Sequence, residues 1–177
     1  MLITAAFENL LDQLSARRTD RELGKTFVQK HPQLIPIMVS YSLKNNSAQR
    51  QVMSAWIMEC YFMDNLLELT TYVPKILNKI ASIKNESVRR SLSKLLFYFC
   101  KNHSANLTKK QNELLVSIAF DWLIFPAKVA TQSFAIKILI QLQNHATWIL
   151  PELKAVIKKQ WPTASPGFKA AARELLL

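Results

Sequence analysis

The stretch from Thr70 to His103 constrains this chain more than any other. It reads TTYVPKILNKIASIKNESVRRSLSKLLFYFCKNH. Two apolar-periodic segments flank a short break, Ile83-Lys84-Asn85-Glu86-Ser87. In the first, Val73, Ile76, Leu77 and Ile80 fall at helical spacing; in the second, Val88, Leu92, Leu95, Leu96 and Phe99 do. The pattern predicts two helices joined by a tight turn, and other parts of the chain repeat it.

The repetition keeps register. Ser47-Ala48-Gln49-Arg50-Gln51-Val52 answers to Ser87-Val88-Arg89-Arg90-Ser91-Leu92, and beyond it Ala55 matches Leu95, Trp56 matches Leu96 and Cys60 matches Cys100. Upstream, Leu34-Ile35-Pro36-Ile37-Met38 answers to Tyr72-Val73-Pro74-Lys75-Ile76. A weaker copy, Ala130 to Leu142, lies opposite Val88 to Cys100 with a two-residue slip. A last copy opens at Ile149-Leu150-Pro151-Glu152-Leu153 and closes over Phe168 to Leu176. Two helices in a period of about 40 residues are the mark of a helical solenoid.

These residues resemble HEAT repeats, a family that often carries a proline in the first helix, Asn or Asp at the turn and a Val-Arg pair opening the second helix. Pro36, Pro74 and Pro151 stand at the proline position, Asn46 and Asn85 in the turns, and Val88-Arg89 matches the pair. Ala48-Gln49, Val129-Ala130 and Phe168-Lys169 depart from it. The resemblance spans residues 31–177. The C-terminal Ser165-Pro166-Gly167-Phe168-Lys169 is similar to a group of short bacterial HEAT-like proteins, some labelled adenylosuccinate lyase. That superfamily has a Gly-Ser-Ser-rich signature loop, which this sequence lacks.

The implied fold is all-α: an α-α superhelix of about five antiparallel helix pairs. Residues 1–31 would form an N-terminal capping pair and 32–177 about four repeats, all in a single domain. Helices are expected near 2–16, 19–30, 33–43, 47–63, 65–82, 86–102, 108–124, 127–144, 147–160 and 166–177. Thr19 and Glu22 have the spacing of a capping box. His31-Pro32 should end the second helix, because a proline disfavours helix in the residue before it. Pro74 should kink its helix or begin it. Val52, Trp56, Leu92, Leu95, Leu96, Phe99, Ile118, Phe134 and Ile138 are expected to be buried.

Composition agrees with helices. The chain has 177 residues, half of them apolar, and only two glycines, Gly24 and Gly167. Its two cysteines form no CxxC pair, which excludes a disulfide framework or a zinc signature. Helices packed side by side lie about 8–10 Å apart, beyond the roughly 7 Å that a disulfide permits. Reduced thiols and a cytoplasmic location are therefore expected. MLITAAFENLLDQL has no basic leader, and the apolar run Leu114–Phe125 is too short to span a bilayer.

Charge is uneven. The chain carries 23 Lys and Arg against 12 Asp and Glu, a net +11. From Met1 to Pro74 the two signs balance; from Lys75 to Lys110 nine cations face one acid, Glu86. Lys75 and Lys79 share one helix face, and Arg90, Lys94 and Lys101 lie opposite the apolar face of the next. With Arg89, they form a candidate stripe for an anionic partner. Arg50 and Arg89 sit in first turns, where a cation opposes the helix dipole by about 0.3–1 kcal/mol. Either each bonds turn carbonyls or an acid such as Asp64 or Glu86, or each holds a phosphate. Glu59 falls opposite Phe99, partly buried, so its carboxylate should snorkel out to water, pair with a neighbouring lysine, or serve as one acid of a small site.

His31, His103 and His145 fall where helices should end, with no cluster at ligand spacing, so no metal or cofactor is expected. Trp56 reads as core; Trp122, Trp148 and Trp161 read as core or as bases' stacking partners. These features fit a non-catalytic scaffold for an acidic protein or peptide. The alternative is nucleic-acid binding, since the alkylpurine DNA glycosylases use HEAT-like repeats. Those enzymes carry a tryptophan and an aspartate one turn apart; here Trp148 and Glu152 have the spacing with a different acid, and no catalytic residue follows.

Overall fold

A computed structural model describes residues 2–44, 46–125 and 127–175. Among them the chain forms ten α-helices joined by short 3-10 turns, and no strand. The protein is all-α. Packing groups it into two compact units, Met1–Leu95 and Leu96–Leu177. The first holds α1 (Leu2–Gln13), α2 (Arg18–Lys30), α3 (Ile35–Leu43), α4 (Ala48–Asp64), α5 (Val73–Ile80) and the start of α6 (Glu86–His103). The second holds the remainder of α6, α7 (Lys109–Ile124), α8 (Val129–Leu142), α9 (Ile149–Gln160) and α10 (Pro166–Ala172).

Local chemistry sets most helix ends. Pro36, Pro74 and Pro151 all stand in the first turn of a helix, α3, α5 and α9. A proline there gives up an N–H that has no helical acceptor, and its φ is already helical. Pro74 therefore begins α5 and does not kink it. The helix expected over 65–82 is divided, with a 3-10 segment Leu66–Thr71 ahead of α5, because Pro74 has no N–H to offer the preceding turn. α2 ends at Lys30, with His31 as its C-cap before Pro32. Ser47, Thr108 and Ser165 cap α4, α7 and α10, and Thr108 with Gln111 forms a full capping box.

The box expected at Thr19 and Glu22 does not form. α2 starts one residue earlier, at Arg18, and Asp20 reaches back to accept the Ser15 N–H at 2.8 Å and its hydroxyl at 2.6 Å. A carboxylate in a first turn gains from the helix dipole as well as from two hydrogen bonds, which a hydroxyl cannot match. The last helix is also shorter than expected. α10 gives way to a 3-10 turn, Arg173–Leu175, and Leu176 and Leu177 lie outside the described residues.

In the first unit α4 is central, packed by α1, α2 and α3. Ala55, Met58 and Phe62 are fully buried, with Phe7, Leu11, Val28, Met38 and Val39 around them. Having neighbours on several sides, α4 buries a wider arc than one stripe. Val52 and Trp56, expected inside, are only half-buried. The Trp56 ring lies instead beneath the Arg21 guanidinium, 4.2 Å from its carbon, so α2 covers it with a cation. Gly24 makes that crossing close: a Cβ there would stand 2.4 Å from Ile57 Cδ1.

In the second unit α8 is central, packed by α7, α9 and α10. Phe99, Leu115, Ile138, Leu142, Leu153 and Phe168 are buried there. Phe134 is half-buried, against expectation. Its ring leans on Phe97, with centroids 6.0 Å apart, and Lys137 lies over both rings. The aromatic pair thus sits at the unit's rim beneath an ammonium. Leu92, Leu95, Leu96 and Ile118 are buried as expected. No helix among the described residues is long and apolar enough to cross a membrane.

Candidate functional site

Several of the cations singled out in the sequence are engaged within the fold. Arg50 makes a bidentate pair with Asp12 of α1, Nε and Nη2 donating at 2.8 and 2.7 Å, and Nη1 reaches Glu8 at 2.9 Å. The Asp12 bond, above all, strengthens the guanidinium's hold on its proton. Tyr41 of α3 donates to the other Glu8 oxygen. The first turn of α4 is thereby tied to α1, and a phosphate at Arg50 would have to displace two carboxylates.

Arg89 is engaged by its own turn. Nε donates to the Ile83 carbonyl, and Nη1 meets Glu86 at 2.7 Å. Asn85 Oδ1 accepts the Ser87 and Val88 N–H groups. Together they hold the α5–α6 turn in one shape, which accounts for a cation at a position that the helix dipole disfavours.

Glu59 and Lys94 are mutual partners. Lys94 Nζ donates to Glu59 Oε1 at 2.7 Å, and the Ser91 hydroxyl donates to Oε2 at 2.6 Å. Both carboxylate oxygens are satisfied in a buried residue. Ser91 is itself fully buried, while the Lys94 side chain keeps part of its surface in water. Lys94 turns away from the stripe to do this work.

Lys75 and Lys79 on α5 and Arg90 on α6 are exposed, and none forms an ion pair among the described residues. Lys101 is exposed in the last turn of α6 and belongs to the second unit. The first unit adds Lys44 and Lys84, exposed in the same sense. Lys44, Lys79 and Lys84 line an open groove of about 700 Å³ between the α3–α4 and α5–α6 turns. Its other lining residues are Leu43, Ala48, Gln51, Ser82, Ile83 and Asn85. No carboxylate and no aromatic ring is among them. Three ammonium groups without a counter-charge, on walls that are partly apolar, raise the local concentration of anions. The sequence stripe included Lys79 of this set. Lys44 was missed because it precedes the basic segment and reaches the groove only through packing.

The remaining candidates lie outside the groove lining. His31 caps α2, and its ring contacts Phe27 with centroids 4.9 Å apart. His103 ends α6 against Phe99, and His145 lies in a 3-10 turn, 3.4 Å from the Asn112 amide. Trp122 is buried, Trp161 is half-buried beside Lys169, and Trp148 is exposed. Both thiols are free; burial pushes Cys60 up and Cys100 up to about 12. Among the described residues, no group of three or more His, Cys, Asp and Glu could hold a metal ion.

Compared with known proteins, the chain matches no protein-family model, no curated protein and no solved structure.

Proposed function

We propose that this protein is a non-catalytic helical scaffold that holds an acidic peptide segment of a protein partner in the lysine groove of its first unit. The observation that carries this reading is the groove itself: Lys44, Lys79 and Lys84 line it with no carboxylate among them. Lys75 and Arg90 are further exposed cations of the same unit, while Arg50, Arg89 and Lys94 keep their internal partners. In this reading the helices stack as a HEAT-like solenoid of about five pairs. The shared first-turn placement of Pro36, Pro74 and Pro151 supports that stacking, and the free thiols suit a cytoplasmic setting.

The second reading is nucleic-acid binding, favoured by the same unpaired charge. It is the weaker because no aromatic side chain is among the described residues that line the groove, and single-stranded binders combine charge with stacking platforms.

One titration separates them. A labelled Asp/Glu-rich peptide and labelled single- and double-stranded oligonucleotides are titrated into the protein at low and at physiological salt. The peptide should bind at low salt, weaken as salt screens the lysines over about 8–10 Å, and fail to bind Lys79→Glu/Lys84→Glu. Tighter binding of the oligonucleotides, with a log–log salt slope of about −0.9 per duplex phosphate contact, would establish the second reading. Binding of neither at low salt would refute both.

A further inference from the structure

A separate pocket in the second unit carries a sharper chemical signature. The first turns of α7 contribute Lys109, Asn112, Glu113 and Val116; the 3-10 turn before α9 and the start of α9 contribute His145 and Trp148. Its volume is about 160 Å³. Drug-sized ligands occupy roughly 300–1,000 Å³, so this pocket takes one ring system.

Asn112 is the informative residue. It is 4% exposed. Its Nδ2 lies 3.4 Å from His145 Nδ1, and its Oδ1 has no hydrogen-bond partner among the described residues. With the amide as placed, Nδ2 pairs with the imidazole nitrogen and Oδ1, an acceptor, is left unmatched. A buried polar group without a partner shifts an equilibrium by roughly five- to a hundred-fold against the state that contains it. A ligand that supplies a donor to Oδ1 removes that penalty.

Trp148 completes the description. It is 54% exposed, and Phe120 backs its ring with centroids 5.7 Å apart and planes 27° from parallel. A large indole held by a buried ring and left in water is a stacking platform. Lys109 stands at the rim, placed for an anion. A carboxylate in the pocket would confront the Asn112 oxygen acceptor to acceptor. An ammonium could satisfy that oxygen and meet Glu113, but it would approach a chain of net charge +11 past Lys109.

We propose that this pocket binds the amino-substituted base of a nucleotide. The ring stacks on Trp148, its exocyclic amine donates to Asn112 Oδ1, and its phosphate meets Lys109. This inference does not depend on the lysine groove of the first unit.

The test is an NMR titration of the full chain, read at the Trp148 indole and Asn112 side-chain amide signals. Adenosine monophosphate should move both signals saturably. Inosine monophosphate, which carries a carbonyl in place of the amine, should bind at least about tenfold more weakly. Ribose 5-phosphate should leave the Trp148 signal in place. Trp148→Ala, a change at an exposed position, should weaken adenosine monophosphate about tenfold or more while the spectrum stays that of a folded chain. No saturable shift at low-millimolar nucleotide, equal binding of the two nucleotides, or indifference to Trp148→Ala would each overturn the proposal. So would n-butylamine competing for the same signals, which would make this a cation pocket. The mark in the sequence is slight: Asn112 occupies a position that the helical period of Leu115, Val116 and Ala119 reserves for an apolar side chain.

Discussion

Glu59 of α4 and Lys94 of α6 meet at 2.7 Å, the carboxylate almost wholly out of water and the ammonium partly in it. The pair links two helices of the first unit and withdraws Lys94 from the basic surface. Removing one partner leaves a buried charge, which is where the energetic weight of such a pair lies. Lys94→Ala should lower stability by about 1–3 kcal/mol, measured as a shift in the urea midpoint. Replacing both residues by methionine should be less harmful than the two single changes together. Additive effects in the double-mutant cycle would show that the pair is not coupled. Charge-reversal tests of partner binding accordingly belong at Lys79 and Lys84, where no internal carboxylate is left behind.

Gly24→Ala tests the closeness of α2 and α4. Alanine favours an exposed helix over glycine by about 1 kcal/mol. Here the new methyl would meet Ile57, which is 1% exposed, at 2.4 Å. Over-packing of this kind costs about 1–3 kcal/mol, so strain outweighs propensity and thermal stability should fall. A gain would mean that Ile57 can give way.

Two carboxyls set an acid limb on stability. Asp12 is held below its ordinary 3.8 chiefly by the hydrogen bond from Arg50, and Asp20 chiefly by the Ser15 hydroxyl and then the Ser15 N–H. Both native values are depressed, so in acid the unfolded chain binds more protons. Their contribution is full above the ordinary value and is lost as pH falls through the lower native one. Asp12→Asn should therefore lower the urea midpoint near neutral pH, and the gap from wild type should close as pH falls through the carboxylate range. A gap constant with pH would contradict the Arg50–Asp12 bond.

Thiol chemistry should be slow and then complete. Burial raises Cys100 to about 12 and Cys60 to a lesser degree. Near pH 8 Cys100 is then thiolate in only about one molecule in ten thousand, and the thiolate is the reactive form. In the folded protein a thiol reagent should modify Cys60 first and leave Cys100 untouched. Unfolding without reductant should release two reactive thiols; finding none would mean that the cysteines are bridged.

Much of the fold was legible in the sequence because it is local. Helical spacing of apolar residues marks where helices run. Pro36, Pro74 and Pro151 mark where three of them start, since a proline's missing N–H and set φ act within one turn. Arg89, Glu86 and Asn85 are neighbours in sequence, so a turn-locking role for that arginine could be read there as one of two choices. The rest depends on which helices meet. Arg50 finds Glu8 and Asp12 on α1, and Glu59 finds Ser91 and Lys94 on α6. Trp56 lies beneath Arg21, and Lys44 joins Lys79 and Lys84 in one groove. A charged side chain in sequence shows only its own sign. Whether it is neutralised inside or left for a partner depends on side chains tens of residues away, brought near it by the burial of apolar faces that carry no charge themselves.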